Sequence, residues 1–328
     1  MRRRISLLST TVLVVIALQV PEASAASHAG KGPVSTPATP VSTPLTAVGT
    51  APARTASGDR SAGANTGGDG AHLAGSAGSG ELKDSEGVQH GVPPDTQTLP
   101  AGTPDFSSNT VFGPDGRVRA ADSAGYPERA IGVLIIDAPD GSTRGCTGFL
   151  YGPNIVATAG HCLYHPSMGG WAESVRIYPG QDDTNSPYGY CWGTEAYSVQ
   201  GWVNDLDRNY DYGAIKLNCT VGDTTGWFGM HWQTSSYNGT RVAVVGYPQD
   251  KQPPFTMWGM FGPIEGSRSN QLLYTIDTDS GQSGGPVYYP GCGAFCAIAV
   301  HASGDQYWNY GTRITEAVFN NYLDWRYG

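Results

Sequence analysis

The chain has 328 residues, of which 39% are hydrophobic and 14% are charged, so it is long enough for one large domain or two small ones. Its formal net charge is -9 with only 19 Lys and Arg residues. It therefore lacks the excess of basic residues that binding to nucleic acids or anionic membranes requires. Composition therefore argues against both of these partners.

The first residues predict an export signal. Three arginines at positions 2–4 precede an apolar run over residues 7–20, and an Ala-Ser-Ala sequence at 23–25 has the spacing that a signal peptidase needs. The run is too short to span a bilayer comfortably, and no later segment is apolar for long enough. We predict a signal peptide over residues 1–25 and a secreted protein without membrane contact after its removal.

A low-complexity segment follows the signal. From about residue 26 to residue 80 the chain consists of Pro, Thr, Ser, Ala and Gly with scarcely a large apolar side chain. Such a segment cannot bury enough surface to offset the loss of chain entropy on folding. It predicts a disordered propeptide over residues 26–109, and a flexible stalk is the simpler interpretation of the same composition.

Short β-rich runs separated by Gly, Pro, Asn and Asp fill the rest of the chain and predict an all-β sandwich or barrel. The exception is the C-terminus, where Thr315 fits a helix N-cap and Val318, Phe319, Tyr322 and Leu323 recur at helical spacing. The β-rich runs are residues 131–136, 146–151, 155–158, 174–178, 214–217, 241–245, 272–276, 286–289, 297–300 and 312–314.

The sequence Thr-Ala-Gly-His-Cys at residues 158–162 places a histidine at the end of an apolar strand. Small residues before His161 let the chain turn sharply, and Cys162 is available to tether that turn. Cys146 lies on the preceding strand at a separation suited to bridging a hairpin. A histidine beside a cysteine is more often structural than catalytic, so this motif decides nothing alone.

The sequence Gly-Gln-Ser-Gly-Gly-Pro at residues 281–286 surrounds a serine with glycines. Glycine permits a tight turn in which the backbone amides of Gly281 and Ser283 converge on one point, where a carbonyl oxygen under attack would become an oxyanion. Glycine-rich serine turns also occur as plain loops, and the pattern alone favours neither interpretation.

Asp211 stands directly before an apolar strand, where the simplest interpretation is a turn-forming aspartate. The order of the three motifs changes that interpretation, because His161, Asp211 and Ser283 follow one another as the triad does in chymotrypsin-like enzymes. On a chain predicted to be secreted, disulfide-bonded and all-β, the conjunction favours a catalytic triad.

The TAGHC, DYGAIKL and GQSGGP segments together resemble the chymotrypsin-like serine peptidases, from about residue 110 to the C-terminus. Within that superfamily the chain is more similar to the bacterial glutamyl endopeptidases, the group of staphylococcal V8 protease. The resemblance implies two six-stranded antiparallel β-barrels, the first over residues 110–220 and the second over residues 221–328. The segments that carry this closer likeness are residues 111–117, 277–278, 281–284, 300–301 and 311–314.

The motifs and the resemblance assign a role to each candidate residue. His161 and Asp211 belong to the first barrel and Ser283 to the second, with the triad between them. His161 would take the proton of Ser283, Asp211 would hold the imidazole, and the amides of Gly281 and Ser283 would form the oxyanion hole. The expected activity is hydrolysis of protein or peptide substrates through an acyl-enzyme, by a monomer without metal or cofactor.

Two interpretations of the substrate-binding (S1) pocket remain open. By resemblance, Thr278 and His301 donate hydrogen bonds to the carboxylate of a substrate Glu or Asp, and a site that pairs a charge rejects analogues without it. Alternatively, Asp277 lies where trypsin-like enzymes keep the acid that binds Arg or Lys, and Gly304 and Gly311 would line an open pocket. Such a pocket would prefer Arg or Lys, or would accept many side chains. A third interpretation makes His301 a buried core residue. We favour glutamate, because a histidine wall is unusual in a pocket for basic residues.

Gln282 precedes the candidate nucleophile at the position where the animal enzymes have an aspartate that pairs with a newly cut N-terminus. A neutral glutamine cannot make that ion pair, so activation is expected to differ. We hypothesise that cutting near Asn109 or Thr110 frees an α-amine that completes the pocket for acidic residues, because residues 111–117 resemble a mature N-terminus. The chain's own propeptide is therefore an expected partner.

Six cysteines in an exported chain favour three disulfides over a metal site, although six allow 15 pairings. The hairpin separation supports the first pair, a small loop after the nucleophile strand would be closed by the second, and the third pair is what remains. The expected pairs are Cys146–Cys162, Cys292–Cys296 and Cys191–Cys219.

Other classes of protein also fit parts of the sequence. A catalytically inactive homologue acting as a binding module is the main alternative, but no residue of the triad or the glycine turn is substituted. A lipase or esterase shares the GxSxG pattern, yet those folds alternate strands with helices and place their histidine last in the chain. In this sequence the histidine comes first.

Overall fold

A computed structural model of the chain describes residues 37–46, 69–81, 85–94 and 110–328. The signal peptide predicted over residues 1–25 lies outside the described residues, as does much of the segment predicted as propeptide. Within the described ranges, no helix is long and apolar enough to cross a membrane.

The described part of the chain contains 19 β-strands in a seven-stranded sheet, a ten-stranded sheet and a two-stranded ribbon. In chain order the strands are β1 (Pro40–Pro44), β2 (Gly70–Leu73), β3 (Val118–Arg119), β4 (Ile131–Asp137), β5 (Thr143–Gly152), β6 (Ile155–Thr158), β7 (Tyr164–His165), β8 (Gly170–Trp171), β9 (Ser174–Pro179), β10 (Cys191–Val199), β11 (Gly213–Leu217), β12 (Gly229–Gln233), β13 (Arg241–Gly246), β14 (Trp258–Pro263), β15 (Gly266–Ser267), β16 (Gln271–Tyr274), β17 (Pro286–Gly291), β18 (Ala294–Gly304) and β19 (Asn309–Arg313).

Helices are few and short, as the all-β prediction requires. The α-helices of the described residues are α1 (Gly160–Leu163), α2 (Gln200–Val203), α3 (Gly222–Thr225) and α4 (Glu316–Tyr327). Single 3-10 turns cover Glu128–Ala130, Pro166–Met168 and Arg208–Tyr210.

Six strands of the seven-stranded sheet close into a barrel in the order β10, β11, β6, β5, β4 and β9, with β9 pairing back to β10. Strand β4 has six consecutive buried residues, as expected for a strand covered on both faces. Strands β6 and β11 are antiparallel neighbours, and Thr158 at the end of β6 lies opposite Gly213 at the start of β11. The residues that follow β6 and those that precede β11 therefore meet at one end of the barrel.

The ten-stranded sheet follows the path β15, β16, β19, β18, β17, β13, β14 and β3; off this path β12 pairs with β18, and β2 pairs with β12. Among the described residues no strand pairing joins β14 to β16, so this sheet is a half-barrel, less complete than the barrel that the resemblance implies. Strand β14 ends at Pro263, which has no amide hydrogen to donate to a neighbouring strand. Strand β15 begins three residues later and pairs with β16 instead. The all-β prediction is confirmed, with one closed barrel and one half-barrel.

Two pieces of the segment predicted to be disordered form strands, so that prediction was wrong for them. Strand β1 pairs along its whole length with β10, and β2 pairs with β12. Leu45 and Leu73 are buried, with 7% and 4% of their surface exposed. Composition failed here because these strands bind through backbone hydrogen bonds to sheet edges that a distant part of the chain provides.

The C-terminal helix α4 confirms the helical prediction and its N-cap. The Thr315 hydroxyl accepts from the Val318 amide at 3.4 Å. The buried face differs from the predicted one, since Asn321 and Trp325 are buried while Leu323 is partly exposed. The Trp325 ring packs 5.8 Å from that of Tyr212, so the helix supports the chain just before β11.

Candidate active site

His161 and Asp211 form a buried, hydrogen-bonded pair at the end of the closed barrel. His161 Nδ1 is 2.8 Å from Asp211 Oδ2, and the His161 backbone amide donates to Asp211 Oδ1 at 2.8 Å. Each side chain is only 3% exposed. Because both carboxyl oxygens bind the same residue, the orientation of the ring is fixed. Its Nε2 atom has no hydrogen-bond partner among the described residues.

Neighbouring groups pack tightly around this pair. A Cβ atom at Gly160 would lie 2.8 Å from the Trp202 ring, which explains the glycine before the histidine. The Trp202 ring meets the His161 ring edge-on with centroids 6.2 Å apart. From the half-barrel, the Thr312 hydroxyl donates to the Asp211 carbonyl oxygen at 2.8 Å. The pair is therefore held by both sheets.

Residues 279–285, which we call the serine turn, contain two consecutive tight turns that share Gln282. The Gln282 amide donates to the Asp279 carbonyl at 3.1 Å, and the Gly285 amide donates to the Gln282 carbonyl at 3.0 Å. Gly281 and Gly284 occupy the third position of each turn with φ of 92° and 90°. A type II turn requires positive φ at that position, which accounts for both glycines.

Thr147 of β5 attaches the serine turn to the closed barrel. Its amide donates to the Ser283 carbonyl at 2.8 Å, and its hydroxyl donates to the Gly281 carbonyl at 2.7 Å. A Cβ atom at Gly284 would lie 2.0 Å from the Thr147 carbonyl oxygen. The Ser283 carbonyl oxygen is 3.8 Å from Cys162 Sγ, so the serine turn lies beside the helix that carries His161.

The polar groups of the serine turn are available for chemistry. Ser283 is 2% exposed, and its Oγ atom has no hydrogen-bond partner in the described chain. The backbone amides of Gly281 and Ser283 also donate to no acceptor within the described ranges. Buried donors without partners favour a ligand that brings negative charge.

Two buried side chains with unpaired polar atoms lie close to the serine turn. Thr278 and His301 are both 0% exposed, and Thr278 Oγ1 and His301 Nε2 have no partner in the described chain. The His301 amide donates to the Gly285 carbonyl at 2.8 Å, and the His301 carbonyl accepts from the Gly284 amide at 2.7 Å. His301 is therefore hydrogen-bonded directly to the serine turn.

Tyr274 is hydrogen-bonded to the ring of His301. The Tyr274 hydroxyl is 2.7 Å from His301 Nδ1. Burial raises the pKa of Tyr274 well above its ordinary value, so it remains a phenol. Burial, with a smaller effect of the neighbouring His161, lowers the pKa of His301 to about 3. If the phenol donates to Nδ1, the neutral ring carries its own proton on Nε2.

The remaining pocket candidates have other contacts. Both Asp277 carboxyl oxygens accept backbone hydrogen bonds at 2.7 Å, from the amides of Phe112 and Gly116. Asp277 therefore binds the segment that precedes β3. A Cβ atom at Gly311 would lie 3.4 Å from the Tyr274 hydroxyl, so this glycine makes room behind the histidine. Gly304 ends β18 and lies opposite Asn309.

Thr147, Tyr274 and Arg117 contact the site and were not among the sequence candidates. The sequence carries a signal for Thr147 alone, because it follows Cys146 and the expected tether places it near His161. Tyr274 and Arg117 bind residues 27 and 165 positions further along the chain, and no local pattern indicates those contacts.

The disulfide predictions are confirmed, since the six cysteines form the three expected pairs. Within the described ranges, one group of three potential metal-ligating side chains lies close together, namely Cys146, His161 and Cys162. The two sulfur atoms of this group are bonded to each other, and neither is available as a thiolate ligand.

Residues 146–298 match the family model of the trypsin-like peptidase domain. The chain is 42% identical over 235 residues to a glutamyl endopeptidase of Bacillus licheniformis (strain ATCC 14580), covering 69% of this chain and 72% of that protein. It is also 45% identical over 221 residues to a Bacillus subtilis (strain 168) protein named extracellular metalloprotease, covering 66% of this chain and 70% of that one.

The fold of this chain is similar to those of solved proteases. A structure of a Glu endopeptidase in complex with MPD matches with a TM-score of 0.59 and 29% identity, covering 66% of this chain and 99% of that one. The protease Anisep from Arthrobacter nicotinovorans matches with a TM-score of 0.54 and 20% identity, covering 63% and 98%. At that lower identity the likeness concerns the fold alone.

Proposed function

This chain belongs to the trypsin-like peptidases and is a chymotrypsin-like serine endopeptidase, and we propose that it cleaves peptide bonds after glutamate through His161, Asp211 and Ser283. Its substrates are proteins or peptides. The observation that carries the proposal is the His161–Asp211 hydrogen bond beside a buried Ser283 whose hydroxyl is unpaired in the described chain.

The proposed reaction uses the free ring nitrogen of His161. With Nδ1 bound to Asp211, Nε2 has the lone pair that takes the Ser283 proton. The serine oxygen bonds to the substrate carbonyl carbon, and the π electrons move to the carbonyl oxygen. When this intermediate collapses, the C–N bond breaks and the imidazolium protonates the leaving amine. Water then cleaves the acyl-enzyme by the same steps and restores the serine.

The amides of Gly281 and Ser283 would bind the oxyanion. Both are part of the serine turn, which is held in place before substrate arrives. Fixed donors need no reorganisation when charge develops on the oxygen, and a single oxyanion donor is worth about 10² to 10³ in kcat. The unpaired amides therefore support a catalytic role for the turn.

Glutamate specificity is supported by two neutral, buried donors. Thr278 Oγ1 can donate to a carboxylate, and His301 Nε2 can do so as well when Tyr274 donates to the other ring nitrogen. Both groups are unpaired among the described residues, and a substrate carboxylate would satisfy both. A side chain that cannot accept hydrogen bonds would leave two buried donors unpaired, which is costly.

The contacts of Asp277 argue against the alternative preference for Arg or Lys. Such a pocket needs an acid that is open to the substrate cation. Both oxygens of Asp277 already accept amide hydrogen bonds, and the residue is 2% exposed. We therefore place the specificity of the enzyme with Thr278 and His301.

We also propose that the chain is exported and acts outside the cell as a monomer. Its three disulfides are of the kind that persists in an oxidising compartment. One relative is named extracellular, and the first 25 residues have the pattern of a signal peptide.

The Ser283→Ala variant tests the proposal. Removal of a triad nucleophile lowers kcat by about a millionfold, whereas Ser235→Ala, a matched change at an exposed serine, should leave the rate unchanged. Peptides that differ only in having Glu, Asp, Gln or Arg before the cleaved bond then measure specificity. Unchanged cleavage by Ser283→Ala would refute the triad, and preferred cleavage after Arg would refute the pocket assignment.

A further inference from the structure

The guanidinium group of Arg117 is buried beside the serine turn, with 0% of its side chain exposed. We propose that Arg117 is a positioning residue that holds the serine turn in its oxyanion-binding shape by donating a hydrogen bond to Gln282. This inference rests on the proposed function, because it assumes that the Gly281 amide of the same turn binds the oxyanion.

Arg117 uses all five of its N–H donors. Nε and Nη2 donate to the two oxygens of Asp115 at 3.0 and 2.9 Å. Nη1 and Nη2 donate to the two oxygens of Asp250 at 3.1 and 2.5 Å. The fifth donor, on Nη1, binds Gln282 Oε1 at 3.1 Å. Because the guanidinium is a rigid planar fork, the two carboxylates fix the direction of the fifth donor.

Gln282 passes this constraint to the turn. Its Oε1 atom also accepts from the Asp279 amide at 3.0 Å, while its backbone amide donates to the Asp279 carbonyl at 3.1 Å. The side chain and backbone of Gln282 thus both bind Asp279, the first residue of the serine turn. Gly281 lies between these two residues, so a displaced Gln282 side chain would shift the Gly281 amide.

The charges around Arg117 are balanced, as a buried ionic group requires. Lys251 contacts Asp115 and lies 3.8 Å from Asp250, so two cations face two carboxylates. Hydrogen bonds from Arg117 hold the pKa of Asp115 well below its ordinary value. Burial opposes the charge of Arg117, but its hydrogen bonds to Asp115 and Asp250 raise its pKa. Both Asp115 and Arg117 are therefore stabilised in their charged forms.

Arg117 also removes the need for a new N-terminus at this point. A neutral Gln282 cannot pair with an α-amine as an aspartate does, yet it accepts a charge-assisted hydrogen bond from the guanidinium. That contact exists in the uncut chain. Cleavage before Thr110 is therefore expected to affect the specificity pocket and to leave the serine turn as it is.

The first test compares Arg117→Lys with Arg119→Lys in the secreted enzyme. Arg119 lies two residues away on β3, is 40% exposed and pairs with Asp182 on the surface, so it is a matched control. A lysine cannot supply five donors in a plane. For Arg117→Lys we expect kcat to fall about 10- to 100-fold, less than or similar to the loss of an oxyanion donor, with KM within about twofold.

Two inhibitors separate positioning from general damage. A peptide aldehyde with a Glu side chain forms a hemiacetal with Ser283 and places its oxygen in the oxyanion hole. A peptide ending in γ-aminobutyrate keeps the carboxylate of the Glu side chain but has no carbonyl group at the cleaved position, so it cannot use the hole. In Arg117→Lys the aldehyde should bind about 10- to 100-fold more weakly, while the γ-aminobutyrate peptide binds as before. Equal weakening of both ligands would mean a purely structural role and would overturn the inference.

Gln282→Met provides a second test that keeps Arg117 and both carboxylates, in case Arg117→Lys does not fold. It should lower kcat as much as Arg117→Lys does, and the double variant should be no slower than either single one, because both changes break one contact. Additive losses, or wild-type kcat in both single variants, would overturn the inference while Ser283→Ala still abolished activity. If the wild type itself neither cleaved peptides nor bound the aldehyde, the proposed function would fail as well.

Discussion

Replacing Thr278 by valine tests the specificity pocket directly. The change removes the Thr278 hydroxyl and keeps the shape of the side chain. That hydroxyl is fully buried and has no partner in the described chain, so its loss breaks no hydrogen bond of the free enzyme. Burial of an unpaired hydroxyl costs about 1 to 3 kcal/mol in proteins. The free energy of unfolding should therefore stay the same or rise.

The substrate complex should respond in the opposite way. A hydrogen bond to a charged group contributes about 1.5 to 3 kcal/mol, which corresponds to a factor of about 10 to 150 in kcat/KM. The assay measures kcat/KM for two peptides that differ only in having Glu or Gln before the cleaved bond. For Thr278→Val we expect the Glu:Gln ratio to fall by about that factor, with Glu cleavage losing most.

Thr225→Val serves as the matched control. Thr225 is also fully buried, but its hydroxyl is paired, because it lies 3.2 Å from the Val221 carbonyl oxygen and donates to it. It should lower the free energy of unfolding by about 1 kcal/mol and leave the Glu:Gln ratio unchanged. An unchanged ratio in Thr278→Val, with wild-type stability, would show that this hydroxyl does not bind the substrate carboxylate.

Three further predictions follow from buried contacts. The pKa of His301 is lowered to about 3, below the ordinary value of about 6.5. The unfolded chain therefore binds this proton first, and the free energy of unfolding should decrease as the pH falls from about 6.5 toward 3. Unfolding measured at several pH values should show a smaller decrease in His301→Gln. Thr147→Val leaves the Gly281 carbonyl and the Tyr247 amide unpaired. It should lower the free energy of urea unfolding by about 2 to 5 kcal/mol and also lower kcat. Wild-type stability together with wild-type kcat would contradict the role of Thr147. After a cut near residue 109, the fragment containing β1 and β2 should elute with the enzyme in gel filtration, and separate peaks would refute its attachment.

The parts of the fold that the sequence predicted are those that local patterns determine. Glycines at 281 and 284 indicate the serine turn because the turn needs positive φ there. Thr315 indicates the start of α4 because an N-cap acts over three residues. The tether between Cys146 and Cys162 follows from a hairpin that brings them together.

The parts that could not be predicted depend on contacts between distant segments. The Thr147 hydroxyl binds a carbonyl 134 residues away, and any residue at 281 would supply that carbonyl. Asp277 resembled a specificity acid, and the groups that engage it are two backbone amides of residues 112 and 116, which leave no trace in side-chain identity. Strand β1 has few apolar residues, and its attachment depends on the edge of β10.

The hydrogen bonds of His301 couple specificity to catalysis. Its backbone exchanges two hydrogen bonds with Gly284 and Gly285, directly after Ser283, while its unpaired Nε2 atom is the proposed donor to the substrate carboxylate. Thr147 holds the same turn from the closed barrel, so a movement of His301 cannot be absorbed by moving the whole turn. A substrate carboxylate that orders the ring therefore also orders the peptide that carries the nucleophile. Binding energy used in this way lowers the barrier of the chemical step as well as KM, so pocket substitutions should reduce kcat and not only affinity.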